Sequence, residues 1–135
     1  MSPRSSLADR DEIALPVSNA IEPLPLFGQP AAAVAHLVQL QDSDGAVREE
    51  PLFVNYYGRA IPSMSLALAA QALNLKIADL QLSPEQVQLG RLKMPIEADA
   101  VILPQFYRGQ NSQPAFSVDS FYDVLNDKIP ASKYA

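Results

Sequence analysis

The chain has 135 residues, 48% hydrophobic and 19% charged, with 12 Pro, 5 Gly and neither Cys nor Trp, the size of one globular domain. A chain of that length hides about two-thirds of its unfolded surface without help from a disulfide or structural metal. The lack of cysteine excludes thiol catalysis and cysteine zinc sites. Ten Lys and Arg against fifteen Asp and Glu give a formal charge of −5 with no basic cluster, so no nucleic-acid partner is expected.

Residues 1–12 are polar, carry both charge signs and lack an apolar centre, which excludes a secretory signal and predicts a disordered lead. Residues 13–17 read as a short strand. Pro23-Leu24-Pro25-Leu26-Phe27-Gly28 alternates proline with apolar side chains and predicts an extended connector. Residues 34–40 alternate with apolar side chains on both faces, the pattern of a mostly buried strand. Asp42-Ser43-Asp44-Gly45 suits a tight reversal, and residues 46–56 resume an extended pattern, so the two runs are expected to pair as a β-hairpin.

Tyr57-Gly58-Arg59 marks a second turn, and Pro62-Ser63 a helix start. Leu66, Ala69, Ala70 and Leu73 then make one apolar helical stripe. Residues 76–84 read as connecting chain, residues 86–90 and 92–96 as two strands around Gly90, and residues 101–107 as a further strand interrupted by Pro104. Residues 108–114 form a polar loop of the kind that carries recognition. Ser117 is positioned to cap a short helix bearing Val118, Phe121, Tyr122 and Leu125. The expected fold class is α/β (mixed α+β), a central mixed or antiparallel sheet with two short helices packed on it, formed by residues 13–135.

The residues that could carry chemistry are few. Asp42-x-Asp44-Gly45 imitates the start of a calcium loop, but in that register position 1 would be Leu40 and position 12 Pro51, so no metal is expected. His36 is the only histidine and permits at most one imidazole base. Ser63, Ser65, Ser117 and Ser120 sit near helix starts and read as caps. Glu49 and Glu50, adjacent on a strand, point to opposite faces and form no acid/base pair. Arg48, Tyr107 and Arg108 combine two forked donors with a phenol and are the candidate ligand-binding residues, suited to a small anion. The competing reading has Arg48 paired with a nearby carboxylate.

Taken in order, Asp42-Ser43-Asp44-Gly45-Ala46-Val47-Arg48 with Pro51-Leu52, then Pro62-Ser63-Met64-Ser65-Leu66-Ala67-Leu68-Ala69-Ala70, Tyr107-Arg108-Gly109, Phe116-Ser117 and Asp123-Val124-Leu125 form a series. It resembles the CHASE type-two family, the extracellular sensory domain associated with cyclases and histidine kinases, from about Ile13 onward. The resemblance implies a bacterial, extracytoplasmic (periplasmic) ligand-sensing module without enzymatic activity or cofactor. It also implies flanking transmembrane helices, absent from this chain, that lead to a cytoplasmic cyclase, diguanylate cyclase/phosphodiesterase or kinase. The chain itself is expected to be a soluble piece of such a receptor, lacking a following sheet strand. Asp42, Asp44, Gly45, Arg48, Pro62, Ser63 and Gly109 are family landmarks rather than assigned binding residues. Members commonly carry Gly where this chain has Ala35, and a Gly within the turn at residues 97–100. The implied partner is an unknown small-molecule or ionic signal, and a homodimer is compatible with the family. Two other readings remain open: a ligand-free dimerisation module working through a sheet edge or residues 62–74, and a small hydrolase or isomerase using His36 with Asp42 or Asp44.

Overall fold

Tyr57 and Gly58 both take positive φ, 50° and 76°, the combination of a two-residue type I′ turn whose twist matches that of antiparallel strands. The Gly58 N–H donates to the Asn55 side-chain oxygen at 2.8 Å. The turn joins β4 (Phe53–Tyr56) to β5 (Arg59–Pro62), paired from Phe53 opposite Pro62 to Tyr56 opposite Arg59. β1 (Leu7–Ala8) runs antiparallel beside β5, and β2 (Leu15–Pro16) parallel beside β4, giving the order β1-β5-β4-β2. The computed structural model describes residues 5–109, 111 and 114–134. The chain divides into two units, one running to Pro104 and one starting at Gln105.

Among the described residues the first unit holds two further sheets. β3 (Glu50–Pro51) pairs antiparallel with β9 (Val101–Ile102). β6 (Gln81–Ser83), β7 (Gln86–Leu89) and β8 (Leu92–Pro95) form an antiparallel meander. Gly90, at φ 60°, supplies the reversal between β7 and β8. The helix α2 (Met64–Ala72) begins where β5 ends: Pro62 closes the strand, and the Ser63 side chain accepts from the Leu66 N–H as N-cap. Asn74 at φ 55° stops it, with Leu75 N–H donating to Ala70 O and Asn74 N–H to Gln71 O, a Schellman arrangement. Leu66, Ala67 and Ala70 face the core, where Leu52, Phe53, Ala60, Ile77, Leu80, Val87 and Leu89 meet. β2, β3, β5 and β8 each end on proline, which has no N–H to extend a ladder.

The mixed α+β class, the turn at Asp42-Ser43-Asp44-Gly45, the Ser63 cap and the strands flanking Gly90 match the sequence reading. The long hairpin does not. Residues 34–40 form no strand; they touch other chain through single bridges, His36 to Ser63 and Leu40 to Glu49. β4 closes on β5 through the shorter Tyr57-Gly58 loop, which costs less closure entropy and leaves residues 34–40 without a full ladder partner. The helical stripe is shifted, with Ala67 buried and Leu73 half exposed. Residues expected as connectors gain structure: α1 (Pro25–Gly28), a 3-10 turn at Ile77–Asp79, and β6. The strand expected at residues 101–107 stops at Ile102, before Pro104. Within the turn at residues 97–100, Asp99 and Ala100 hold φ of 59° and 56°, the left-handed backbone that glycine adopts most easily.

The described part of the expected disordered lead is built into the sheet. Leu7 lies opposite Ala60, Ser5 Oγ accepts from Val34 N–H at 3.0 Å, and the Arg59 guanidinium donates to Ser6 Oγ. Residues 1–4 lie outside the described residues. Asp9 is the anchor. Only 4% exposed, its carboxylate accepts from Ile13 N–H at 3.0 Å, Ala14 N–H at 3.1 Å and Asn55 Nδ2 at 2.7 Å. Its carboxylate is matched by two backbone donors just before β2 and by Asn55 on β4, which explains how a polar lead orders. Asp9→Ala orphans these donors and is expected to lower unfolding free energy by about 2–3 kcal/mol, measured by denaturant titration.

In the second unit the helix α3 (Phe121–Leu125) follows Ser120 rather than Ser117 and buries none of its residues. Lys128 Nζ donates to Asp123 Oδ1 at 2.9 Å and lies 5.0 Å from the Tyr122 ring centre. A final 3-10 turn covers Ala131–Tyr134.

Candidate functional site

The turn between residues 42 and 46 is closed by Gly45 N–H to Asp42 O and Asp42 N–H to Ala46 O, both 2.9 Å, with Gly45 at φ 80°. Arg48 folds back across it. One guanidinium nitrogen donates to Asp42 Oδ2 and to Asp44 Oδ1 at 2.9 Å, and the second to Asp44 Oδ2 at 2.8 Å. The Arg48 fork and the Ala46 N–H hold the Asp44 carboxyl below its usual range, and both carboxylates raise the Arg48 guanidinium. All three side chains are exposed, so the trio shapes the turn more than it stabilises the fold. Its Arg48 donors are already directed at two carboxylates.

Tyr107 and Arg108 lie in the second unit and are exposed. The Tyr107 ring meets Phe116 edge-on at 5.5 Å and 79°. Gly109 is exposed, and positions 110, 112 and 113 of the expected recognition loop lie outside the described residues.

His36 is placed by backbone on both sides: its N–H donates to Pro62 O at 2.9 Å and its carbonyl accepts from Met64 N–H at 3.1 Å. Residue 36 is therefore fixed to the junction of β5 and α2. The side-chain Nδ1 accepts from Val38 N–H at 3.2 Å, which assigns the ring proton to Nε2. That atom is buried without a hydrogen-bond partner. Burial lowers the imidazole from 6.5 to about 4, against the opposing influence of the Glu50 carboxylate and the Pro51 carbonyl. The carbonyl favours a protonated ring without closing a hydrogen bond to Nε2. Glu50 itself accepts from Ser65 Oγ, which is 2.9 Å from Ser63 Oγ, the cap of α2. The hydrolase reading required His36 to meet Asp42 or Asp44, whereas both carboxylates engage Arg48 and the acid acting on the ring is Glu50.

Two cavities flank this region. One, about 290 Å³, includes His36, Val38, Asn19, Val54 and Tyr56 in its wall. The other, about 510 Å³, opens beside α2 between Ala33, Ala67, Gln71, Leu75, Lys76 and Ile77. Four alanines, Leu75 and Ile77 make up most of its lining, and Gln71 and Lys76 bring one amide and one cation to it. These two residues carried no motif in the sequence, whereas Ser65 read as a helix-start serine and in the structure donates to Glu50 instead. Glu50 had one legible signal, since strand alternation of adjacent Glu49 and Glu50 turns one of them inward, and Glu50 is the less exposed. No group of His, Asp and Glu suited to a metal ion occurs among the described residues.

A family model for the CHASE2 domain matches residues 4–135, essentially the full chain. The chain belongs to the CHASE2 domain family, an extracellular sensory domain of signalling receptors. That membership supports an extracytoplasmic location. No curated protein and no solved structure matches the chain. Among the described residues no helix is long and apolar enough to cross a membrane.

The His36 environment sets a pH window for stability. The unfolded chain takes up the proton near pH 6.5 and the folded chain only near pH 4, so this contribution is complete above pH 6.5 and is lost as pH falls to about 4. Discounted for the ring's partial exposure, the loss is about 2 kcal/mol. Urea titrations at pH 7, 6 and 5 measure it. His36→Asn keeps an acceptor for Val38 N–H without a titrating ring, and its stability is expected to be flatter between pH 6.5 and 5.

Proposed function

We propose that this domain is the ligand-sensing input of a bacterial transmembrane receptor and that it controls a cytoplasmic cyclase, diguanylate cyclase/phosphodiesterase or kinase through flanking membrane segments. The observation that carries the reading is the family match over residues 4–135. The domain itself binds and does not catalyse. The 510 Å³ cavity beside α2 is the ligand site, because its volume falls in the range of small-molecule pockets. Its wall is mostly apolar, with Lys76 and Gln71 available to an acceptor or anionic group. The ligand acts by binding one conformation of the domain better than another, which shifts their populations by that difference in affinity.

A second reading, a dimerisation module that needs no ligand, is favoured by the second unit. Phe106, Tyr107, Phe116, Phe121, Tyr122 and Leu125 are each between 64% and 78% exposed, an unusual concentration of apolar surface for a monomer.

A thermal-shift screen against small carboxylates, amino acids, inorganic anions and divalent cations separates these readings. A ligand for the folded state raises the melting temperature with concentration, by about 2.7 kcal/mol in stability at a hundredfold excess over Kd. Lys76→Gln and the cavity-filling Ala33→Leu are expected to weaken the response, and Arg48→Ala to leave it intact. A response lost in Arg48→Ala or Arg108→Ala moves the site to the turn or to the loop after Tyr107. A flat screen together with a dimer in sedimentation favours the ligand-free reading.

A further inference from the structure

Residues 34–38 lie outside every strand and are tied to their surroundings by single hydrogen bonds. Val34 N–H reaches Ser5 Oγ, His36 is bonded to Pro62 and Met64, and Val38 N–H has the His36 ring. The last of these depends on protonation state. Nδ1 accepts only while the imidazole is neutral; a proton on Nδ1 sets two donors 3.2 Å apart and removes the bond. The other ring nitrogen carries a buried N–H with no acceptor, so the neutral ring already leaves one donor unmatched. The Glu50 carboxylate, engaged by Ser65, acts electrostatically on the ring.

We propose that the proton is itself a signal this domain reads: His36 clamps residues 34–38 when neutral and releases Val38 and its neighbours when protonated, turning toward Glu50. The change reaches α2 because the imidazolium competes with Ser65 for the Glu50 carboxylate, and Ser65 is bonded to the Ser63 cap. The groups facing the ring support a single-site switch. β3 contributes Glu50 and the Pro51 carbonyl. β4 contributes Tyr56 across the smaller cavity, and residues 17–23 contribute Asn19 there. The β5–α2 junction contributes Pro62, Ser63 and Met64, none of which ionises. A clamp within a domain that faces the external medium, whose pH is not buffered by the cytoplasm, gives acidification a direct mechanical effect. This role deepens the sensory reading and rests on it, whereas the clamp can be tested on the isolated chain without any receptor output.

The test is proton NMR of the ring with amide hydrogen exchange between pH 7 and pH 3.5. His36 is the only histidine, so its ring signals are unambiguous. The ring is expected to titrate well below the ordinary 6.5, at or above the value of about 4 that holds for the clamped arrangement. Protection of the Val38 amide should fall over the same pH range, by about 30-fold, the ratio set by the discounted difference in proton affinity between the released and clamped rings. Amides in β4 and β5 should remain protected over that range. Glu50→Gln should lower the midpoint, and His36→Asn should keep Val38 protected throughout. Titration near 6.5 with Val38 protection unchanged overturns the proposal. So does an equal loss of Val38 protection in His36→Asn, or loss of protection in β4 and β5 together with Val38, which is global acid unfolding.

Discussion

The antiparallel pairing of β4 with β5 constrains most of the first unit. Once Tyr57 and Gly58 reverse the chain, Phe53 lies opposite Pro62 and the inner faces of both strands deliver Phe53 and Ala60 to the core. β5 can go no further than Pro62, and Ser63 starts α2 directly from its end. Both outer edges of the pair are then available, and β1 and β2 occupy them. A carboxylate between those edges, Asp9, joins the entering chain to Asn55 of β4. Short strands of two to four residues have little ladder energy individually. Their stability comes from sharing one core and from side chains such as Asp9, Arg59 and Ser63 that satisfy the backbone between them.

α2 is the element that the proposed ligand cavity and the proposed histidine clamp have in common. Ala67 and Gln71 face the cavity, and the first turn of the same helix is tied through Ser63, Ser65 and Glu50 to the surroundings of His36. If cavity occupancy and ring protonation both bias the position of this helix, each must change the affinity for the other by the same factor. The small side chains on α2 permit close approach, and the cavity beside Ala67 and Gln71 leaves the helix less tightly packed on one side. An input element of a sensor benefits from that combination, since a fully packed helix has no second arrangement to adopt.

Local features with strong chemical signatures were legible in the sequence. The Asp42-to-Gly45 turn, the serine cap and the glycine between β7 and β8 each follow from what a few residues can do by themselves. The partnership of strands was less legible: alternation at residues 34–40 reads as a strand, but alternation does not say whether a partner is free, and β5 reaches β4 first. The lead was misleading because its polar residues find partners, Ser5 with Val34 and Asp9 with three donors, contacts between segments that composition cannot reveal. Arg48 shows a similar limit. As a residue type it suits an anionic ligand, but its position four residues after Asp44 and six after Asp42 also lets the turn supply its partners. Gln71 and Lys76 belong to no motif and meet only at the cavity beside α2, and nothing in the sequence pairs Ser65 with Glu50.

The prolines at the ends of β2, β3, β5 and β8 affect more than strand length. An uncovered strand edge can recruit the same strand from another molecule, and growth requires a continuous row of amide donors. Pro16 on β2 and Pro95 on β8 interrupt that row on strands at sheet margins. They also oppose register slippage, because moving a proline one position inward removes a hydrogen bond from the ladder. A protein built from such brief strands, with aromatic surface exposed in its second unit, thereby carries its own defence against aggregation.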